Sequence, residues 1–163
     1  MPDPTISNTS PIYYLHRLDH LDLLEKIYGE IVIPNGVLEE LDEGKKAGED
    51  IPDVRKLAWI KIRRIPIPPA ITLIPDLGKG ESEALALALM EKNHVLIIDD
   101  SLARDIARLQ LLRYTGTAGV LLKAKQKGLI SELKPVLYRL KDAGFYLREK
   151  VLIDLLRLSG ESC

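Results

Sequence analysis

The residues best placed to do chemistry are acids that border apolar runs. Glu81 and Glu83 open the run Gly80-Glu81-Ser82-Glu83-Ala84-Leu85-Ala86-Leu87-Ala88-Leu89, and Asp99 and Asp100 close the run Val95-Leu96-Ile97-Ile98. The first run predicts a helix beginning in acids, the second a short buried strand that ends in them. In an open α/β sheet, ligands sit just beyond the carboxyl ends of the strands. An unpaired carboxylate cannot be driven into the core there without a large desolvation cost. Several carboxylates meeting in one cleft suit a hard divalent cation such as Mg²⁺ or Mn²⁺.

Other elements must bring further ligands to that cleft. Thr5-Ile6-Ser7 reads as a first strand, followed by Asn8, with Ser10 and Pro11 as cap and first position of a helix carrying Ile12, Leu15 and Leu18. A short helix over 21–28, closed by Gly29, leads to the strand Ile31-Val32-Ile33 and Pro34. Val37, Leu38 and Leu41 then give a helix that carries Glu39, Glu40, Asp42 and Glu43. Residues 44–56 read as a polar loop and a short helix, and 59–65 as a half-exposed strand of alternating apolar and basic residues. The prolines at 66, 68, 69 and 75 predict an extended connection. Beyond it lie a helix over 80–92, a strand over 95–98, a helix over 101–109 and a strand over 111–114. A tight turn at 115–119, a helix over 120–127, and closing helices over 133–141 and 151–158 complete the chain.

Strands alternating with helices predict a three-layer α/β/α architecture with a central, mostly parallel sheet of about five strands. The 163 residues fit one domain, 1–163, with the helices of 132–158 packed on it or used for dimerisation. Charged residues at 29% and hydrophobic ones at 46% give a globular composition, and a net charge of −1 excludes a global basic field. The one cysteine, Cys163, excludes an internal disulfide and a cysteine-built zinc site. With no signal-like opening and no long apolar run, the expected setting is intracellular and cytoplasmic, away from membranes.

Each acid taken alone also has an ordinary explanation. Acids in a first helical turn favour its positive end, which suits Glu81 and Glu83. Glu39, Glu40, Asp42 and Glu43 can form a solvated face, and Asp99 or Asp100 can cap the helix at 101. His16, His20 and His94 match no zinc spacing. No local pattern supports a Ser or Cys nucleophile.

In combination the pieces resemble the PIN-domain nucleases, including the VapC-type toxin ribonucleases, and a prokaryotic branch with an Asn-Thr-Ser-Pro opening. They are Ile6-Ser7-Asn8-Thr9-Ser10-Pro11, Ile33-Pro34 with Val37-Leu38-Glu39-Glu40-Leu41, Gly78-Lys79-Gly80-Glu81-Ser82-Glu83-Ala84, Leu96-Ile97-Ile98-Asp99-Asp100 with Ala103-Arg104, and Thr115-Gly116-Thr117-Ala118-Gly119-Val120-Leu121. The resemblance implies a metal-dependent endoribonuclease that uses Mg or Mn, acts on RNA, forms a homodimer and, as a toxin, pairs with an antitoxin protein. It places acidic ligands at Glu40, at Glu83 with Glu81 as competitor, and at Asp99 with Asp100 as competitor. Asn8 falls where most PIN nucleases have Asp. An amide oxygen can still coordinate a hard cation but brings no charge, which implies weaker metal binding.

Like-charge repulsion among these acids predicts at least one carboxylate with a raised pKa. Thr117 and Ser10 line the implied cleft, and Arg104 is the cation best placed for substrate; Arg108 shares its helix face. The turn at 115–119 offers backbone N–H groups that suit a phosphate. Two further classes compete. One is a non-catalytic PIN-like module that binds nucleic acid or a protein partner. The other, a phosphotransfer receiver domain, is disfavoured because its phosphoacceptor Asp is missing.

Overall fold

A computed structural model describes residues 4–66, 74–91 and 94–162. Within them the chain runs β1 (Thr5–Ser7), α1 (Thr9–Arg17), α2 (Asp22–Tyr28), β2 (Ile31–Pro34) and α3 (Asn35–Lys46). A short 3₁₀ turn (Val54–Lys56) precedes β3 (Ile60–Arg63), and α4 (Lys79–Met90), β4 (Val95–Ile97) and α5 (Ser101–Leu109) follow. The chain closes with β5 (Arg113–Thr115), α6 (Thr117–Gln126), α7 (Lys134–Asp142) and α8 (Glu149–Ser159).

The five strands form one sheet in the order β3-β2-β1-β4-β5, and every pairing is parallel. Period-2 alternation divides the core. Ile31, Ile33 and Ile97 face a large cluster built by α1, α2, α3, α6, α7 and α8. Ile6, Val32, Leu96 and Ile98 face a second cluster with the apolar residues of α4 and α5. The result is three layers, as the alternating sequence predicts.

The strand order determines where a site can form. From β1 the chain steps outward to β2 and β3, then returns to lay β4 on the opposite side of β1 and β5 beyond it. The ends of β1 and β4 therefore open next to each other, with Ser7 paired to Ile97, at the point where the order reverses. Helices leaving neighbouring strands diverge there and leave a crevice.

Several boundaries differ from the sequence reading, each for a local reason. The cap of α1 is Asn8, not Ser10, and Pro11 lies further inside the first turn, where its missing N–H leaves no vacancy. Helix α3 continues through Gly44 to Lys46 before the loop begins. Leu111 takes a positive φ of 58° and ends the turn after α5, so β5 starts later than 111. The segment read as a turn at 115–119 is the end of β5, a glycine cap and the first turn of α6. Of the extended connection 66–75, residues 67–73 lie outside the described residues, as do Lys92 and Cys163. Leu133, Val136, Leu137, Leu140, Leu152, Leu155 and Leu156 all join the larger core cluster, so α7 and α8 are packed on the sheet's helical layer.

Candidate active site

Three consecutive residues leaving β1 organise the crevice. The Asn8 N–H donates to the Ile97 carbonyl (3.0 Å), tying the ends of β1 and β4 together. The next side chain, Thr9, donates its hydroxyl to Glu40 Oε1 at 3.3 Å. Ser10 donates to Asp99 Oδ2 at 2.7 Å. The first turn of α1 thus reaches a carboxylate on each side. Ser10 thus serves Asp99 rather than capping the helix.

Asp99 is the better furnished of the two acids. Its Oδ1 accepts the Thr117 backbone N–H at 2.7 Å, and its Oδ2 accepts the Thr117 hydroxyl at 2.6 Å as well as Ser10. Thr117 is fully buried and opens α6, so Asp99 holds the positive end of that helix. Of the N–H groups expected at this turn to suit a phosphate, that of Thr117 is engaged by Asp99. Arg104 comes to the same corner. A Cβ on Gly116 would stand 2.8 Å from Asp99 Oδ1 and 3.3 Å from an Arg104 guanidinium nitrogen. The Arg104 guanidinium lies over the Tyr114 ring, its Cζ 5.2 Å from the centroid.

Glu40 occupies the opposite corner in a poorer setting. Only a glycine at 80 lets α4 come this close. A Cβ there would collide with Glu40 Oε1 and stand 2.9 Å from Asn8 Oδ1. The Asn8 side chain is 3% exposed, and its Oδ1 has no hydrogen-bond partner among the described residues. Burial raises the Glu40 pKa, and the charge of Glu81 adds to the rise; the Gly80 N–H and the Thr9 hydroxyl oppose it. A raised carboxylate is what clustered acids predict, but desolvation ranks ahead of like charge as its cause.

Each of the remaining acids has a partner of its own. Glu83 is buried and accepts the Gly36 N–H at 2.9 Å, fastening α4 to the first turn of α3. A Cβ at Gly36 would collide with the same carboxylate. Beside it Lys79 pairs with Glu39. Glu81 folds back against Gly78 in the first turn of α4. Asp100 caps α5, accepting the Ala103 N–H at 2.9 Å, the ordinary role that the sequence left open for it.

Glu40, Glu83 and Asp99 therefore lie along the carboxyl edge of the sheet, each with its own partners. Among the described residues no three His, Cys, Asp or Glu side chains converge tightly enough to hold a metal ion between them. What does converge is an oxygen set: Asn8 Oδ1 beside Glu40 Oε1, with Asp99 beyond the end of the adjacent strand. Both oxygens border the same face of Gly80, and an all-oxygen donor set suits a hard divalent cation over softer metals. Sequence reasoning missed Gly80, Gly36 and Thr9. Their signal was adjacency, since each immediately precedes or closely flanks a residue singled out for its chemistry.

A parallel sheet whose acids and hydroxyls gather where its strand order reverses is the architecture of PIN-type nucleases. The sequence agrees, because a family model described as a PIN domain matches residues 4–161. The chain belongs to the PIN-domain family, whose members generally use divalent metals and bind nucleic acid. No curated protein matches it. Among the described residues no helix is long and apolar enough to cross a membrane.

Proposed function

We propose that this protein is a metal-dependent endoribonuclease that hydrolyses RNA phosphodiesters. The observation that carries the reading is the buried Asn8 Oδ1, unpartnered among the described residues and set with Glu40 Oε1 against Gly80 at the strand-order reversal. Asn8, Glu40 and Asp99 would hold Mg or Mn, and Glu83 would keep α3, and so Glu40, in register with α4. The bound ion would supply the Lewis acidity that activates water and offsets charge on the phosphoryl group. Ser10 and Thr117 fix the Asp99 carboxylate through three donated hydrogen bonds. Arg104, beside that carboxylate, provides the cation for a substrate phosphate.

By the same reading, residues 1–163 act as one domain, a cytoplasmic toxin with an antitoxin protein and a second copy of itself as partners. The toxin role is supported by the resemblance to the VapC-type toxin ribonucleases. A second reading, a non-catalytic PIN-like module that binds RNA or a partner protein, is favoured by the neutral Asn8 and by the loose spacing of the acids. Incubation with single-stranded and structured RNA, in Mn²⁺ or in EDTA, separates the two. Cleavage that needs Mn²⁺ and disappears in Asp99→Ala supports the enzyme. Retention of RNA without cleavage, unchanged by Mn²⁺, supports the binding module.

A further inference from the structure

A groove of about 570 Å³ runs from Asp99 and Gly116 along the outer strand β5 to the loop between α7 and α8. Its volume lies in the range of specific ligand sites, about 300–1,000 Å³. Three guanidinium groups line it: Arg104 and Arg108 from α5, and Arg148 at the cap of α8. The acids in the lining are Asp99, held by Ser10 and Thr117, and Asp105, which pairs with Arg108 at 3.2 Å. Among the described residues, neither Arg104 nor Arg148 forms an ion pair with a carboxylate. The aromatic residues are disposed differently from core aromatics. Tyr114 carries the Arg104 guanidinium on its face, and Tyr146 is 81% exposed at the rim, although Phe145 and Leu147 beside it turn inward.

Unpaired cations and an open aromatic face, continuous with an acid-lined crevice, match the chemistry of an unpaired nucleic-acid strand. Phosphates meet guanidinium groups there, and a base with no partner stacks on an aromatic ring. A duplex keeps its base faces stacked and hidden, so it gains nothing from Tyr146. We infer that this groove holds the single-stranded RNA on one side of the reacting phosphate, with Tyr146 stacking an unpaired base and Arg148 binding a backbone phosphate. The inference rests on the nuclease reading for the position of the reacting phosphate. It adds a strand direction, over β5 toward the α7–α8 loop, and two binding residues outside the PIN-like motifs.

Fluorescence anisotropy of a labelled single-stranded RNA of about 12 nucleotides, measured in EDTA so that no cleavage intervenes, tests it. Both side chains are on the surface, so Tyr146→Ala and Arg148→Ala should fold as the wild type does, which circular dichroism verifies. The expected result for Tyr146→Ala is a loss of about tenfold in affinity, largely restored by Tyr146→Phe. Arg148→Ala should weaken binding and lower the slope of log K against log salt by about 0.7. Tyr138→Ala, on α7 and away from the groove, should bind as the wild type does.

Wild-type affinity in both groove variants would overturn the groove while leaving the nucleic-acid reading intact. Equal affinity for duplex and single strand, with no effect of Tyr146→Ala, would do the same. A wild-type protein that binds structured RNA but no single strand would overturn this inference alone, and one that binds and cleaves neither would remove the nuclease reading with it. Tighter binding of a polyglutamate peptide than of RNA, lost in Arg148→Ala, would mark the groove as a site for an acidic protein and overturn the inference.

Discussion

The two acid corners of the crevice are built on opposite principles. At the β4 end Asp99 is saturated, with three donors on its two oxygens, two of them from a fully buried threonine. At the β1 side Glu40 accepts from the Thr9 hydroxyl and the Gly80 N–H, is desolvated, and stands near an amide oxygen that has no partner among the described residues. The first arrangement holds its carboxylate in one place. The second leaves a charge under-compensated, and so responsive to protons and cations. On the proposed reading, Asp99 would set the ion's position and the Glu40 corner would give the ion a reason to bind.

Breaking the saturated corner should have the largest effect. Asp99→Ala strands the Thr117 N–H and hydroxyl inside the fold. An unsatisfied buried group costs about 1–3 kcal/mol, so a loss of about 3 kcal/mol in urea unfolding is expected together with loss of RNA cleavage. A variant that unfolds like the wild type would show that Asp99 does not hold α6. Adding charge to the unsatisfied corner should act next most strongly, and in the opposite sense. Asn8→Asp places a second carboxylate by Glu40, destabilising the metal-free protein by about 1–2 kcal/mol and tightening Mn²⁺ binding about tenfold. Calorimetric titration reads the affinity. No gain would place Asn8 outside the ion's ligand set.

Glu40 itself gives the contrast a pH signature. Its pKa is higher in the folded than in the unfolded chain, so between the two values the folded state binds more protons. Wild-type stability from this group is full below the ordinary carboxylate value and is lost as pH rises through the raised one. Glu40→Gln does not titrate. In metal-free buffer it should therefore be the more stable protein at neutral pH, with the advantage fading as the solution is acidified. Excess Mg²⁺ should reverse the order, because the wild type keeps a charged ligand. Parallel urea titrations across that range would expose a pH-independent difference, which this account forbids.

The two corners were not equally legible in the sequence. The apolar runs fixed the strands and their parallel arrangement, because buried strands between helices have few alternatives. The Asp99 corner followed from the same logic, since an acid after a buried strand must end at the sheet's edge. Asp100, next to it in sequence, points into α5 as a cap, and adjacency alone could not divide the pair. The desolvated setting of Glu40 was hidden for a different reason. It arises from the approach of α4 to α3 across a glycine at position 80, a contact between residues 40 positions apart. No periodicity within either helix records it. The groove residues Tyr146 and Arg148 were hidden in the same way, because only the fold brings the α7–α8 loop beside β5.

Glu83 provides the smallest effect and the finest division between the corners. Family resemblance makes it a metal ligand, whereas its geometry makes it a clamp on the first turn of α3. The substitution Glu83→Gln separates these roles. The glutamine carbonyl can take the place of Oε1 and accept the Gly36 N–H, so the clamp survives and only the favourable interaction of a charge with the helix end is lost. That interaction is worth about 0.3–1 kcal/mol, with an upper bound near 2 kcal/mol where it is partly buried. As a clamp, then, Glu83→Gln should lower stability by no more than about 1 kcal/mol and leave the Mn²⁺ titration superimposable on that of the wild type. As a ligand it would weaken that titration at least about tenfold, since a formal charge leaves the coordination sphere. A weakened titration with unchanged stability would move Glu83 into the site and turn the divided crevice into a three-carboxylate one once the ion is bound.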